Sequence, residues 1–160
     1  MNVEATSGRI YYDSQYEASM GISPTAIKNE LYLRPYTQRE AVSLFATTTL
    51  MMVYRAQQNP ERMLDITKLI LNANPKDPIA LQTRASAYYL LIERDFKRKY
   101  PKASQIPTDQ LKTYNYYSRQ NLELSAKADA LGAKIWDKQD WEKYLKHFAR
   151  MKVADGQGSR

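Results

Sequence analysis

The chain has 160 residues, no cysteine, a single histidine (His147), a net charge of +7 and a pI near 9.5. That length suffices for one domain with its own core. The missing thiols exclude disulfide frameworks, thiolate nucleophiles and the usual Cys/His zinc sites.

The positive charge permits an anionic partner, but no compact Lys/Arg run or binding motif accompanies it, so nucleic acid is not expected. The longest apolar run, near Leu50 to Val53, is far too short to span a bilayer, and the N-terminus has no signal-peptide apolar core. Few glycines among plentiful Leu, Ala, Lys, Gln and Glu favour helices. Thirteen tyrosines are best placed in the seams between helices, each with its hydroxyl at an edge.

Residues 2 to 12 carry strand signals, with Gly8 placing a turn between Val3 and the pair Tyr11-Tyr12. Gly21 and Ser23-Pro24 then break the chain, and Pro24 starts a short turn of helix through Ala26 and Ile27. Leu31 to Pro35, LYLRP, looks extended, because a residue before proline is pushed out of the α region. Thr37 and Glu40 have the spacing of a capping box. Behind them Val42, Phe45, Ala46, Thr49, Leu50, Val53 and Tyr54 recur at three- and four-residue intervals, which predicts a helix from about Gln38 to Gln57 with that stripe buried.

Asn59-Pro60-Glu61 starts a second helix, with Met63, Ile66, Thr67, Ile70 and Leu71 on its apolar face and Asn74-Pro75 at its end. Asp77-Pro78 starts a third, whose stripe of Leu81, Ala85, Tyr88, Leu91 or Ile92 and Phe96 runs to about Tyr100. Thr108 is expected to cap a fourth, including Leu111, Tyr114, Tyr117, Leu122 and Leu124 and fading near Gly132. A fifth, from about Asp137 to Lys152, has Trp141, Tyr144, Leu145 and Phe148 on one face, and the last residues form a frayed tail.

No catalytic constellation stands out. His147 beside Phe148 reads as a seam or surface residue, and Glu30, Glu40, Asp65, Asp77, Glu93 and Asp95 form no carboxylate pair above background. There is no phosphate loop, dinucleotide fingerprint, calcium loop or zinc-ligand spacing, so no cofactor or metal is expected. The basic cluster Arg94, Lys97, Arg98, Lys99 and Lys102 either complements a helix C-terminus or meets an anionic partner. Tyr114, Tyr116 and Tyr117 either form a packing seam or line a peptide groove.

Helices joined by short Asn-Pro and Asp-Pro turns invite comparison with the 34-residue tetratricopeptide repeat. Its closing proline aligns with Pro75, which puts Leu50 and Tyr54 on large positions of a first helix. The next repeat opens at Pro78, with Ala85 and Tyr88 on the small and aromatic positions. Met51, Thr47 and Arg84 depart from the template. NVEATSG, YYDSQY, GISPTAI and YLRPYTQRE, followed by a tetratricopeptide-like pair ending in NPKDP, together resemble the C-terminal portion of bacterial transglutaminase-like proteins with a helical repeat tail. In that family a papain-like core supplies a Cys, a His and an acid. The resemblance implies that Glu4 is the acid, at the edge of a sheet whose Cys and His lie on an N-terminal part outside this chain.

The expected architecture is mainly α: a tetratricopeptide-like antiparallel array of about five helices with a short N-terminal extended segment or hairpin. Residues 1–36 form the extended segment or core remnant, 37–152 the helical domain and 153–160 the tail. The expected role is a non-catalytic module for a protein or peptide partner, with Arg55, Arg84, Tyr88 and Tyr89 as contact residues unless later helices cover that face. The alternative is the C-terminal fragment of a cysteine acyl-transfer enzyme, partnered by the missing catalytic part and completed by Glu4.

Overall fold

A computed structural model of the chain describes residues 2–4, 9–12, 22–133, 139, 142 and 146. The fold is mainly α. Two three-residue strands, β1 (Asn2–Glu4) and β2 (Arg9–Tyr11), pair antiparallel with Val3 opposite Ile10, as a hairpin requires. Among the described residues the continuous α-helices are α1 (Pro24–Lys28), α2 (Gln38–Ala56), α3 (Pro60–Ala73), α4 (Pro78–Ile92) and α5 (Thr108–Ala130). The expected turn residue Gly8 and most of the expected helix from 137 to 152 lie outside the described residues, although Gln139, Glu142 and Lys146 are helical.

The chain divides into two compact units. In the first, Met1–Leu33 with Gly132–Arg160, Ser23 caps α1 by accepting from the Ala26 amide at 3.0 Å and donates to the Gly132 carbonyl at 3.0 Å. Gly132 sits at φ +83°, and a Cβ there would come within 2.6 Å of the Ala26 nitrogen, so the close approach needs glycine. At the other end of α1 the Leu31 amide bonds the Ala26 carbonyl and the Glu30 amide bonds that of Ile27, with Glu30 at φ 58°. This is a Schellman ending whose following residue, Leu31, is buried. Leu31 to Pro35 is accordingly not extended: it bends, with Leu33 at φ 59°, because a proline restrains only the residue directly before it.

The second unit, Arg34–Leu131, holds α2 to α5. Consecutive helices pack on one another, α4 with α5 most extensively, and α2 also touches α4. The short α2–α3 and α3–α4 connections make neighbours antiparallel. Each of the first three starts on a side-chain cap: Thr37 accepts from the Glu40 amide, Asn59 from Arg62 and Asp77 from Ala80. Helix α5 does not follow suit. Thr108 is its first helical residue rather than its cap, and the Gln110 and Leu111 amides bond the Pro107 carbonyl instead. Helix α4 widens into a π-helical turn over Glu93–Lys97, keeping Phe96 buried while Arg94 and Lys97 reach solvent.

The core sits around α4. Leu81, Ala85, Tyr88, Leu91, Ile92 and Phe96 are buried as their spacing predicts, as are Met63, Thr67 and Ile70 of α3. Leu122 of α5 is exposed. The larger correction concerns α2. Among its described side chains the buried ones are Ser43 and Thr47, whereas Val42 and Phe45 are 71% and 70% exposed and Leu50 and Val53 are also exposed. The reason is polar: the Thr47 hydroxyl donates to the buried Asp77 carboxylate at 2.9 Å, which turns that face inward. Thr83 on α4 is fully buried, and its hydroxyl has no hydrogen-bond partner among the described residues.

Replacing Asp77 by Ala removes the α4 cap and the Thr47–Asp77 bond that ties α2 to the start of α4, and is expected to cost about 2–3 kcal/mol in urea unfolding. Gln58 ends α2 in a Schellman turn at φ 49°, its amide bonded to the Arg55 carbonyl and that of Asn59 to Tyr54. Gln58→Gly relieves the left-handed strain and should raise stability by about 0.5–1 kcal/mol in the same assay; a loss would mean that the turn tolerates the side chain without strain.

Candidate functional site

The inward rotation of α2 leaves large apolar side chains in water. Val42, Phe45, Met52 and Val53 project from α2, and Leu69 of α3 is 65% exposed. A groove of about 490 Å³ runs between the two helices, with Val42 and Ala46 on one wall and Ile66, Leu69 and Ala73 on the other. The buried Ser43 and Ile70 close its floor, while Gln38 and Arg39 line it where α2 begins. Single exposed apolar residues are ordinary on a protein surface. Exposed apolar side chains that line one recess between two helices, as Val42 and Leu69 do, with charge beside them, are the pattern of an interaction surface.

The beginning of α2 is held by a compact polar clamp. The Arg34 guanidinium donates to both oxygens of the Glu40 carboxylate, at 2.6 and 3.1 Å, and stacks over the Tyr36 ring at 4.6 Å from its centroid. One of those carboxylate oxygens also accepts from the Thr37 amide and hydroxyl, both at 2.9 Å. The Arg34 pair, followed by the Thr37 donors, lowers the Glu40 carboxyl to about 2. This clamp fixes the helix start from which Gln38 and Arg39 project into the groove.

The four contact residues expected from sequence do not form one surface, although the Arg84 guanidinium lies 5.8 Å from the Tyr88 ring centroid. Arg84 reaches back to α3, donating to the Leu64 carbonyl at 2.7 Å and approaching the Thr67 hydroxyl at 3.3 Å. Tyr88 is only 4% exposed and belongs to the α4–α5 seam, where its ring meets Tyr116 edge-on at 5.9 Å and its hydroxyl lies 3.4 Å from that of Tyr116. Burial, then that hydrogen bond, pushes the Tyr88 phenol up. Tyr89 is exposed under the Lys97 ammonium, 4.8 Å from the ring centroid, and Arg55 is exposed in the last turn of α2. Helix α5 therefore covers the face on which Tyr88 lies.

The seam takes up the tyrosines as well: Phe96 packs against Tyr114 and Tyr117 at 5.4 and 6.3 Å, and the Asn121 amide donates to the Ala85 carbonyl at 2.8 Å. In the basic cluster Arg94 pairs with Asp95 and Glu61, at 2.8 and 2.7 Å, and Lys97 pairs with Glu93 at 2.6 Å. Glu4 is in β1, its backbone paired in register with Arg9, while His147 lies outside the described residues. Among the described residues no group of His, Cys, Asp or Glu could hold a metal ion, and no helix is long and apolar enough to cross a membrane.

Sequence reasoning misses the groove because it places the whole stripe of Val42, Phe45, Ala46, Thr49, Leu50, Val53 and Tyr54 in the core. The available signal was the pair beside it, Ser43 and Thr47 four residues apart, whose small polar side chains suit a close helix approach.

The Glu40 clamp carries a pH dependence of known sign. Its carboxyl titrates near 2 when folded and near 4.5 when free, so its stabilisation is complete above about pH 4.5 and fades as pH falls toward 2. Unfolding in that window should take up one more proton than it does in Glu40→Gln. Urea midpoints measured across it are expected to fall more steeply for the parent chain; parallel curves would show that the clamp does not persist in solution.

No protein-family model, curated protein or solved structure matches the chain, so its function is argued from its own residues.

Proposed function

We propose that the chain is a non-catalytic helical interaction module, a degenerate tetratricopeptide-like pair extended by α4 and α5, that binds a protein segment in the α2–α3 groove. The observation that carries this reading is the pair of exposed apolar side chains on facing helices, Val42 and Leu69, that line the groove, with Phe45 and Met52 exposed elsewhere on α2. Covering each of them would contribute about 1–2 kcal/mol, so a partner that buries the set gains enough to offset much of the entropy of association. The absence of any thiol means that an acyl-transfer nucleophile of the cysteine type would have to come from elsewhere.

A second reading rests on the hairpin. Among the described residues the sheet has only β1 and β2, and a lone two-stranded ribbon is marginal in water. Further strands from a transglutaminase-like core would complete it and set Glu4 beside a Cys and a His. On that reading the helical unit is the tail of a cysteine acyl-transfer enzyme.

A photo-crosslinking residue placed at Leu69, in the groove, in the full chain and in its own cells, is expected to give a discrete adduct. The same residue at Leu122, exposed on α5, should not. Adducts at both positions, or at neither, would count against the groove. An adduct from a hairpin position whose mass identifies a Cys- and His-bearing polypeptide would favour the second reading.

A further inference from the structure

We propose that the α2–α3 groove selects an acidic amphipathic helix from another protein, an inference that rests on the groove being an interaction site. The walls supply the apolar half of the match. Ile66, Leu69 and Ala73 fall on successive turns of α3, opposite Val42 and Ala46. That spacing receives anchors at i, i+3 or i+4, and i+7 of an incoming helix.

The rim supplies the charge. Arg39 lines the groove at the start of α2, and Arg62 lies one turn before Ile66 and two before Leu69, on the same face of α3. Both are exposed, and among the described residues neither guanidinium has an ion-pair partner. The acids of these two helices are largely committed elsewhere: Glu40 to Arg34 and Glu61 to Arg94. Asp65 alone stands against Arg39, Arg55, Arg62 and Lys68.

An apolar trough with uncompensated cations at its edge attracts a helix whose apolar stripe is flanked by Asp and Glu, and repels a basic one. The same pattern disfavours a second copy of this chain, which would bring further arginines to the same rim. A flat anionic membrane fits less well, because Ala46, Ile66 and Ala73 line a recess between two helices and not a protruding ridge.

The probe is a fluorescein-labelled 16-residue peptide with Leu and Phe at i, i+3, i+4, i+7 and i+11 and Glu at the flanking positions. Its matched control carries Lys in place of Glu. Anisotropy titrations with the full chain at physiological salt are expected to show the acidic peptide binding at least about tenfold tighter than the basic one. Val42→Asp and Leu69→Asp should each abolish binding, and because both sites are exposed the variants should keep the parent melting curve. Arg39→Glu with Arg62→Glu should weaken the acidic peptide by about tenfold or more, whereas Lys112→Glu with Lys127→Glu on α5 should leave it within about twofold.

Equal binding of both peptides, or equal loss from the α5 variants, would overturn the acidic partner and leave the groove as an interaction site. Binding of neither peptide would overturn both readings. A concentration-dependent dimer abolished by Val42→Asp, or phosphatidylserine vesicles bound through Phe45 in preference to the peptide, would overturn the acidic helix in favour of a second copy or a membrane.

Discussion

The carboxylate of Asp77 lies almost wholly buried where the α3–α4 turn meets α2, and its two oxygens have separate duties. One accepts the Ala80 amide at 2.9 Å and starts α4; the other accepts the Thr47 hydroxyl at 2.9 Å from α2. A buried carboxylate is costly unless its lone pairs are taken, so the position facing it on α2 has to present a donor. Thr47 does so while also bonding back to the Ser43 carbonyl, and that arrangement sets the rotation of α2 about its own axis. With residues 43 and 47 inside, the helical repeat leaves Val42, Phe45, Met52 and Val53 outside. The apolar surface of the unit is thus a consequence of a polar contact in its interior.

Away from that contact the unit is closed conventionally. The α4–α5 seam is filled by interlocking aromatic rings of Tyr88, Phe96, Tyr114, Tyr116 and Tyr117, and Asn121 satisfies a backbone carbonyl across it. Arg84 serves α3 in a similar way, its guanidinium answering a carbonyl and a hydroxyl while its plane nears the Tyr88 ring at 5.8 Å. The acidic side chains near the π-helical turn neutralise Arg94 and Lys97. On α2 and α3 this closure leaves apolar walls uncovered, with cations beside them.

Sequence legibility followed the range of the forces involved. Thr37, Asn59 and Asp77 announce three helix starts because a cap bonds an amide only three residues away, and Pro60 and Pro78 sit where a missing amide costs nothing. The buried stripe of α4 was legible because it is apolar on the side that its neighbours cover. Local signals failed where a second local partner competed with them. Thr108 falls inside α5 because Pro107, which has no capping side chain, takes the N-cap position, and the Schellman turn after α1 bent Leu31 to Pro35 away from an extended path.

By itself the sequence determined that the chain is mainly α, where most of its helices begin and end, and that thiol chemistry is not its own. Those properties rest on contacts within a few residues and on composition. Only the tertiary structure decided which side of α2 faces inward, and with it the existence of the α2–α3 groove. Helical periodicity shows that residues share a face but not what that face meets. Thr47 and Asp77, thirty residues apart, supply that information only when the chain has folded.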